Sequence, residues 1–190
     1  GGVRRVGGYG WIREGDTNGK PEIRVDKQGP SYAVVEGDQC MGHLASFRAM
    51  QLAIQKASET GVAIATVVNS RHFGAAACYA TMALEHGMVG FCVSSSSRGL
   101  APFGGNERVL GNHPVAWAVP AGDERPIVLD MATGVSAWGR VATKRMYGQK
   151  LTMDWVLDKD GNPTDDPARG HVLLPFGGVK ASGFTIIMDV

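Results

Sequence analysis

The spacing of apolar residues changes along this chain, and each change predicts an element. Tyr32 to Val35 is a short apolar run closed by Gly37 and predicts a strand. From Leu44 the spacing turns helical, with Leu44, Phe47, Met50, Ile54 and Ala57 three or four apart and Gly61 as the stop. VAIATVV (62–68) is continuous, valine-rich and of strand length, the pattern of a strand covered on both faces. A second helix is predicted over residues 74–86, ended by Gly87, and MVGFCVSS (88–95) reads as a second buried strand. Strand, helix and strand in that order predict a βαβ unit with parallel strands and a right-handed crossover.

The remainder is more broken. Residues 13–30 read as loop with one short extended piece, and 94–114 as a long polar connection rich in glycine and proline. PVAWAVP and PIVLDMA, joined by AGDER, predict an antiparallel hairpin, and WVLDKDGNPT carries the turn signal DKDGNP. No internal repeat is evident. The sum is a mixed sheet with helices, α/β in the broad sense.

Composition narrows the class. The 190 residues are 44% hydrophobic and 19% charged, as in soluble globular domains. The net charge is +1, and the basic groups RR (4–5) and TKR (143–145) are too short for a nucleic-acid footprint. No apolar run is long enough to cross a bilayer, and the start lacks the apolar stretch of a signal peptide. Three cysteines without a CxxC pair argue against a disulfide framework or a zinc site. The expectation is therefore a cytoplasmic protein with no metal, no nucleic acid and no membrane among its partners.

Polar motifs follow the strands, where α/β sheets place their sites. NSRHFG (69–74), SSSSRGLAPFGG (94–105), VLDMATG (128–134) and LLPFGGVKASG (173–183) stand out. No GxGxxG opens a helix, and Walker A, HExxH and GxSxG are absent. His72 has two readings: a polar residue that caps a helix or fills a turn, or an acid/base group at a strand end, kept neutral by a helix N-terminus. Asp130 is a turn former or helix cap, or a group that orients a histidine or binds a cofactor group, and Lys180 is a surface residue or a point charge for phosphate or carboxylate. Each residue alone leaves both readings open.

Together, NSRHFGAA, APFGG…LGNHP, VLDMAT, WVLDKDGNPTDDP and LLPFGGVKASG stand in the order and spacing of one family. The chain resembles the type 2 malate/L-lactate dehydrogenases, which include sulfolactate, ureidoglycolate and diketogulonate dehydrogenases and cyclic imine reductases. The resemblance implies a three-layer α/β/α fold with a mixed, largely antiparallel sheet. It also implies a non-Rossmann NAD(P)-binding site, NAD or NADP as cofactor, a 2-hydroxy or 2-oxo acid as substrate, and a homodimer. By motif it makes His72 a catalytic acid/base candidate, and Asp130 is counted with it among the catalytic candidates. Asp130, Met131, Ala132, Lys180 and Ala181 match cofactor-contacting positions. Ser96 matches a segment facing the nicotinamide or substrate, and Arg98 stands near it where some relatives carry a lysine. Arg4, with Arg5 as the other register, is a candidate clamp for the substrate carboxylate.

The chain departs from the pattern in places. Gly111-Asn112-His113-Pro114 replaces the usual GTNP, and GVKASG the usual GHKGYG or GHKGSG. Relatives carry a Ser-His-Gly segment shortly before the arginine, whereas this chain starts GGVRR. Residues 1–190 are accordingly expected to be the central cofactor-binding and catalytic portion of a longer oxidoreductase, truncated at both ends. A cyclic imine reductase and a non-catalytic dinucleotide-binding fragment are the rival expectations.

Overall fold

A computed structural model of the chain describes residues 10–189. The chain divides into two compact units, one running up to Cys92 and including Ala116–Leu129, the other made of Val93–Val115 and the chain from Asp130 onward.

The first unit is built on β1 (Arg24–Gln28), β2 (Tyr32–Cys40), α1 (Gly42–Thr60) and β3 (Ile64–Ser70). β2 pairs antiparallel with β1 and parallel with β3, from Tyr32↔Ile64 to Cys40↔Ser70. β2 thus runs beyond Gly37, with a register shift between Glu36 and Cys40, where Asp38 and Gln39 adopt positive φ. The short link between antiparallel β1 and β2 and the helix between parallel β2 and β3 follow from strand direction. α1 ends at Gly61 (φ 83°), whose N–H donates to the Ala57 carbonyl at 2.8 Å.

Four expectations are corrected here. α1 turns Ala45, Ala49 and Leu52 inward, while Leu44 and Phe47 are half exposed. Small residues let the helix lie close over Ala33 and Val35, and Phe47 instead lines a cavity of about 480 Å³ with Met82 and His86. The predicted helix over 74–86 is one α-turn, α2 (Ala77–Ala80), followed by a 3-10 helix (Thr81–His86) that ends at Gly87. The strand after it, β4 (Gly90–Val93), does not join β3: it pairs with β7 (Pro114–Val119), in a sheet completed by β8 (Ile127–Ala132). The parallel βαβ pair is β2–α1–β3. Tight packing seats β4 against the α-turn, since a Cβ on Gly90 would lie 1.9 Å from the Ala80 carbonyl oxygen. β3 is also not covered on both faces, with Ile64 and Val68 exposed.

β7 (Pro114–Val119) and β8 (Ile127–Ala132) are neighbours in that sheet, as the hairpin expectation requires. Ala76, Ala80, Ala116 and Ala118 form its buried alanine layer. The second unit holds the sheet β6-β5-β10-β9, made of Leu110–Gly111, Arg98–Leu100, Val172–Leu173 and Val156–Leu157. Its pairings are antiparallel, parallel and antiparallel in turn, so this sheet too is mixed. Leu100, Leu110, Val141, Leu151, Val156 and Leu173 fill the core beneath α3 (Trp138–Met146). α4 (Val179–Asp189) closes the described chain. The architecture is mixed α/β, with its strands divided among three small sheets.

Candidate active site

In the first unit His72 follows β3 on a loop fixed by backbone bonds. Arg71 N–H donates to Cys40 O at 2.9 Å, and Gly42 N–H to His72 O at 3.1 Å. The start of α1 lies so close that a Cβ on Gly42 would meet the Arg71 carbonyl oxygen at 2.3 Å. Gly74 holds φ at +87°, and a Cβ there would lie 2.8 Å from His43 Nε2. The His72 ring is exposed and stands edge-on to His43 and Trp11, at centroid distances of 6.2 and 6.5 Å. Phe73 stacks on Tyr79 at 5.4 Å, and the Tyr79 hydroxyl donates to the Phe73 carbonyl. Burial, with the Cys78 and Cys92 thiols adding to it, pushes that phenol up to about 12, so it stays a donor at neutral pH.

α2 begins at Ala77, with Ala76 at its N-cap position. Four residues make too short a helix to bias the imidazole as the helix-terminus reading required. His72 is instead an imidazole on a rigid loop. His43 and Trp11 are the neighbours that sequence spacing did not single out.

In the second unit, Leu100 and Leu173 are register partners on parallel strands, and each opens the same six-residue pattern. Leu100-Ala101-Pro102-Phe103-Gly104-Gly105 lies beside Leu173-Leu174-Pro175-Phe176-Gly177-Gly178, and Ala101 N–H donates to Leu173 O at 3.0 Å. This is a short internal repeat, and the expectation of none is corrected. Gly104, Gly177 and Gly178 all have positive φ, which glycine adopts without strain. A Cβ at Gly104 or Gly177 would meet nothing within 4 Å, so the backbone there is open to close approach. Buried Ser182 ties the two turns together by accepting the Phe103 N–H at 3.0 Å.

Lys180 is exposed on the first turn of α4, and Ala181 is buried behind it. Met131 and Ala132 are half-buried at the end of β8, and Asp130 is exposed just before them. The next residue, Thr133, accepts the Phe176 N–H on its carbonyl at 3.0 Å, so the LDMAT and LPFGG segments run side by side. Asn112 fastens the turn beyond, accepting the Gly134 N–H at 2.7 Å and donating to Ser136 O at 3.0 Å. Ser96 and Arg98 are exposed on and beside β5. Arg4 lies outside the described residues. The second unit therefore gathers Met131, Ala132, Lys180 and Ala181 on adjoining segments, and His72 belongs to the first. Open glycine backbone beside an exposed ammonium suits an anionic, phosphate-bearing group, so these residues fit a dinucleotide. Among the described residues no group of three His, Cys, Asp or Glu is arranged to hold a metal ion.

Strand-end motifs and two register-matched glycine turns mark a mixed α/β protein whose sequence carries no GxGxxG opening a helix. The family model for malate/L-lactate dehydrogenase matches residues 1–190, and the chain belongs to that family. A malate dehydrogenase of Pyrococcus horikoshii is 40% identical over all of this chain and 55% of its own length. The NAD(+) ureidoglycolate dehydrogenase of Escherichia coli O157:H7 is 36% identical over 94% of this chain and 51% of its own. The solved structure of delta1-piperideine-2-carboxylate reductase from Pseudomonas syringae superposes with a TM-score of 0.91 at 31% identity, over 98% of this chain and 57% of that one. The chain spans about half the length of the curated relatives it matches.

Proposed function

We propose that the protein is a nicotinamide-dependent oxidoreductase that interconverts small 2-hydroxy and 2-oxo acids such as malate or lactate, using NAD or NADP. The observation that carries this is the family match along the whole chain, with His72 exposed on a fixed strand-end loop. A nicotinamide, when bound, supplies or accepts the hydride. The protein's own residues do the rest. His72 gives a proton to the substrate carbonyl oxygen during reduction and takes it back during oxidation. Arg98 and Arg4 hold the substrate carboxylate, fixing the carbonyl in one orientation. Lys180 holds a cofactor phosphate as a point charge, with Asp130, Met131, Ala132 and Ala181 lining the cofactor's path.

The finer features belong to the same proposal. A homodimer agrees with the exposed Phe91–Trp117 ring pair, centroids 4.5 Å apart, because exposed aromatic pairs favour burial. A cytoplasmic setting agrees with three free thiols. Among the described residues no helix is long and apolar enough to cross a membrane.

NADH and NADPH fluorescence titration of the full-length protein, followed by a panel of 2-oxo acids, tests the assignment. Binding with turnover of pyruvate or oxaloacetate supports it, and cofactor binding without turnover of any oxo acid or imine leaves only a dinucleotide-binding role. The Pseudomonas likeness favours a second reading, reduction of a cyclic imine, and faster turnover of a cyclic imino acid than of any oxo acid selects it. His72→Ala is expected to lower turnover about 100- to 10,000-fold, the usual contribution of an acid/base group. A near-parental rate rejects His72 as the proton donor.

A further inference from the structure

His113 is a fully buried imidazole that none of the roles above uses. Its Nδ1 accepts the backbone N–H of Ser96 at 3.1 Å. That bond requires an unprotonated Nδ1 and so places the ring proton on Nε2. Nε2 lies 3.1 Å from Asp189 Oδ1, within ion-pair distance though off the line of a good hydrogen bond. The other oxygen of Asp189 accepts the Gly111 N–H at 3.1 Å. The ring packs directly on Gly111, where a Cβ would lie 2.2 Å from His113 Cε1 and 2.7 Å from Ser96 O.

These contacts act on one segment. The serine run is anchored at its start, where Ser94 N–H donates to Pro114 O at 3.2 Å, and at its end, where Arg98 pairs with Gly111. Between those anchors the imidazole holds the Ser96 amide, and α4 backs the imidazole through Asp189. We infer that His113 is a positioning residue, which sets the serine run against the reacting groups through the Ser96 amide and is itself seated by Asp189 at the end of α4. The inference rests on the proposal that Ser96 faces nicotinamide or substrate.

Two substitutions divide the ring's functions. In His113→Asn the Oδ1 stands two bonds from Cβ, as Nδ1 does, and still accepts from Ser96. In His113→Gln the amide reaches toward Asp189, as Nε2 does, and leaves the Ser96 N–H without its acceptor. Amide hydrogen exchange at Ser96 and steady-state kinetics are measured on the full-length enzyme with its best 2-oxo acid and NADH. Exchange at Ser96 about tenfold faster and kcat/KM about tenfold lower in His113→Gln are expected, with His113→Asn near the parent and both variants melting together. Equal behaviour of the two variants in exchange, whether both parental or both impaired, overturns the inference. A split in exchange without a split in kinetics also overturns it, and Ser96→Ala then identifies the cause. If Ser96→Ala is parental, the serine run does not face the reactants and the underlying assignment fails. If it is impaired, the assignment stands and only the positioning role of His113 is lost.

Discussion

In the first unit β2 and β3 pair from Tyr32 to Cys40 and α1 runs from Gly42 to Thr60. In the second, β6, β9 and β10 have two residues each, and α3 has nine. The long elements are stabilised along their length by repeated ladder bonds and one apolar face. The short ones cannot be, so the second unit draws on polar side chains that bond to distant backbone. Thr133, Ser182 and His113 are buried there and bond backbone groups 17 or more positions away, while buried Asp158, Thr164 and Thr185 bond backbone within four. Among the described residues Thr17 is the buried polar side chain of the first. Cofactor-type turns need irregular backbone, and irregular backbone inside a fold must find its hydrogen bonds somewhere.

The largest test of this contrast is in the apolar layers. Leu173 is fully buried on a two-residue strand, and Leu52 is 8% exposed at the edge of the α1 cluster. Leucine-to-alanine changes in cores cost about 2–5 kcal/mol, rising with the cavity that cannot close. Urea unfolding should put Leu173→Ala in the upper part of that range and Leu52→Ala in the lower. The reverse order would mean that the second unit's short strands are not where its stability is concentrated.

The same contrast decides what could be read from sequence. α1 and its glycine stop, β3, and the turn after Leu157 were legible because periodicity and turn chemistry are local. The inward face of α1 was not. Leu44 and Phe47 carry more hydrophobic surface than Ala45 and Ala49, but sheet proximity selected the smaller side chains. The pairing of β4 was missed because a βαβ pattern specifies order in the chain, not which strand becomes the neighbour. In the second unit a two-residue strand has no period to detect. The bond from Phe103 to Ser182 spans 79 positions, and nothing near either residue announces it. The LxPFGG pair was visible in the letters, but its meaning depends on Leu100 and Leu173 standing in register. Of the site residues, motif order supplied the names, and residue chemistry alone would have left His72 and Lys180 ambiguous.

A middle-sized effect separates polar from apolar support. Thr133 Oγ1 accepts the His113 N–H at 3.2 Å and donates to Gly111 O at 3.4 Å, with no exposure to water. Thr133→Val keeps the branched shape and leaves a buried donor unsatisfied, so a loss of about 1–3 kcal/mol is expected. Thr66→Val, on the exposed face of β3, should stay within about 0.5 kcal/mol of the parent. Equal effects in chemical denaturation would show that the second unit does not depend on its buried hydroxyls.

The smallest effect appears only against pH. Asp158 Oδ1 accepts the N–H groups of Asn162 and Asp160, each at 3.0 Å, and Oδ2 lies 2.5 Å from Arg169 Nη2. The Asn162 amide is the largest influence, with the Asp160 amide and the guanidinium adding to it, and together they outweigh burial and hold the carboxyl below its ordinary range. The folded protein therefore binds this proton less readily than the unfolded chain, whose aspartates titrate near about 3.9. A depressed folded value contributes stability that is fully present above the unfolded value. That contribution is lost as pH falls through the folded one. Asp158→Asn retains an oxygen for the two amides but has no charge for Arg169. The variant should melt below the parent at pH 7, and the gap should narrow as pH falls below the ordinary aspartate range and the parent carboxyl takes up its proton as well. A gap that stays constant across that range would assign the turn's stability to its amide bonds alone. The ion pair between Asp158 and Arg169 would then be incidental to that turn.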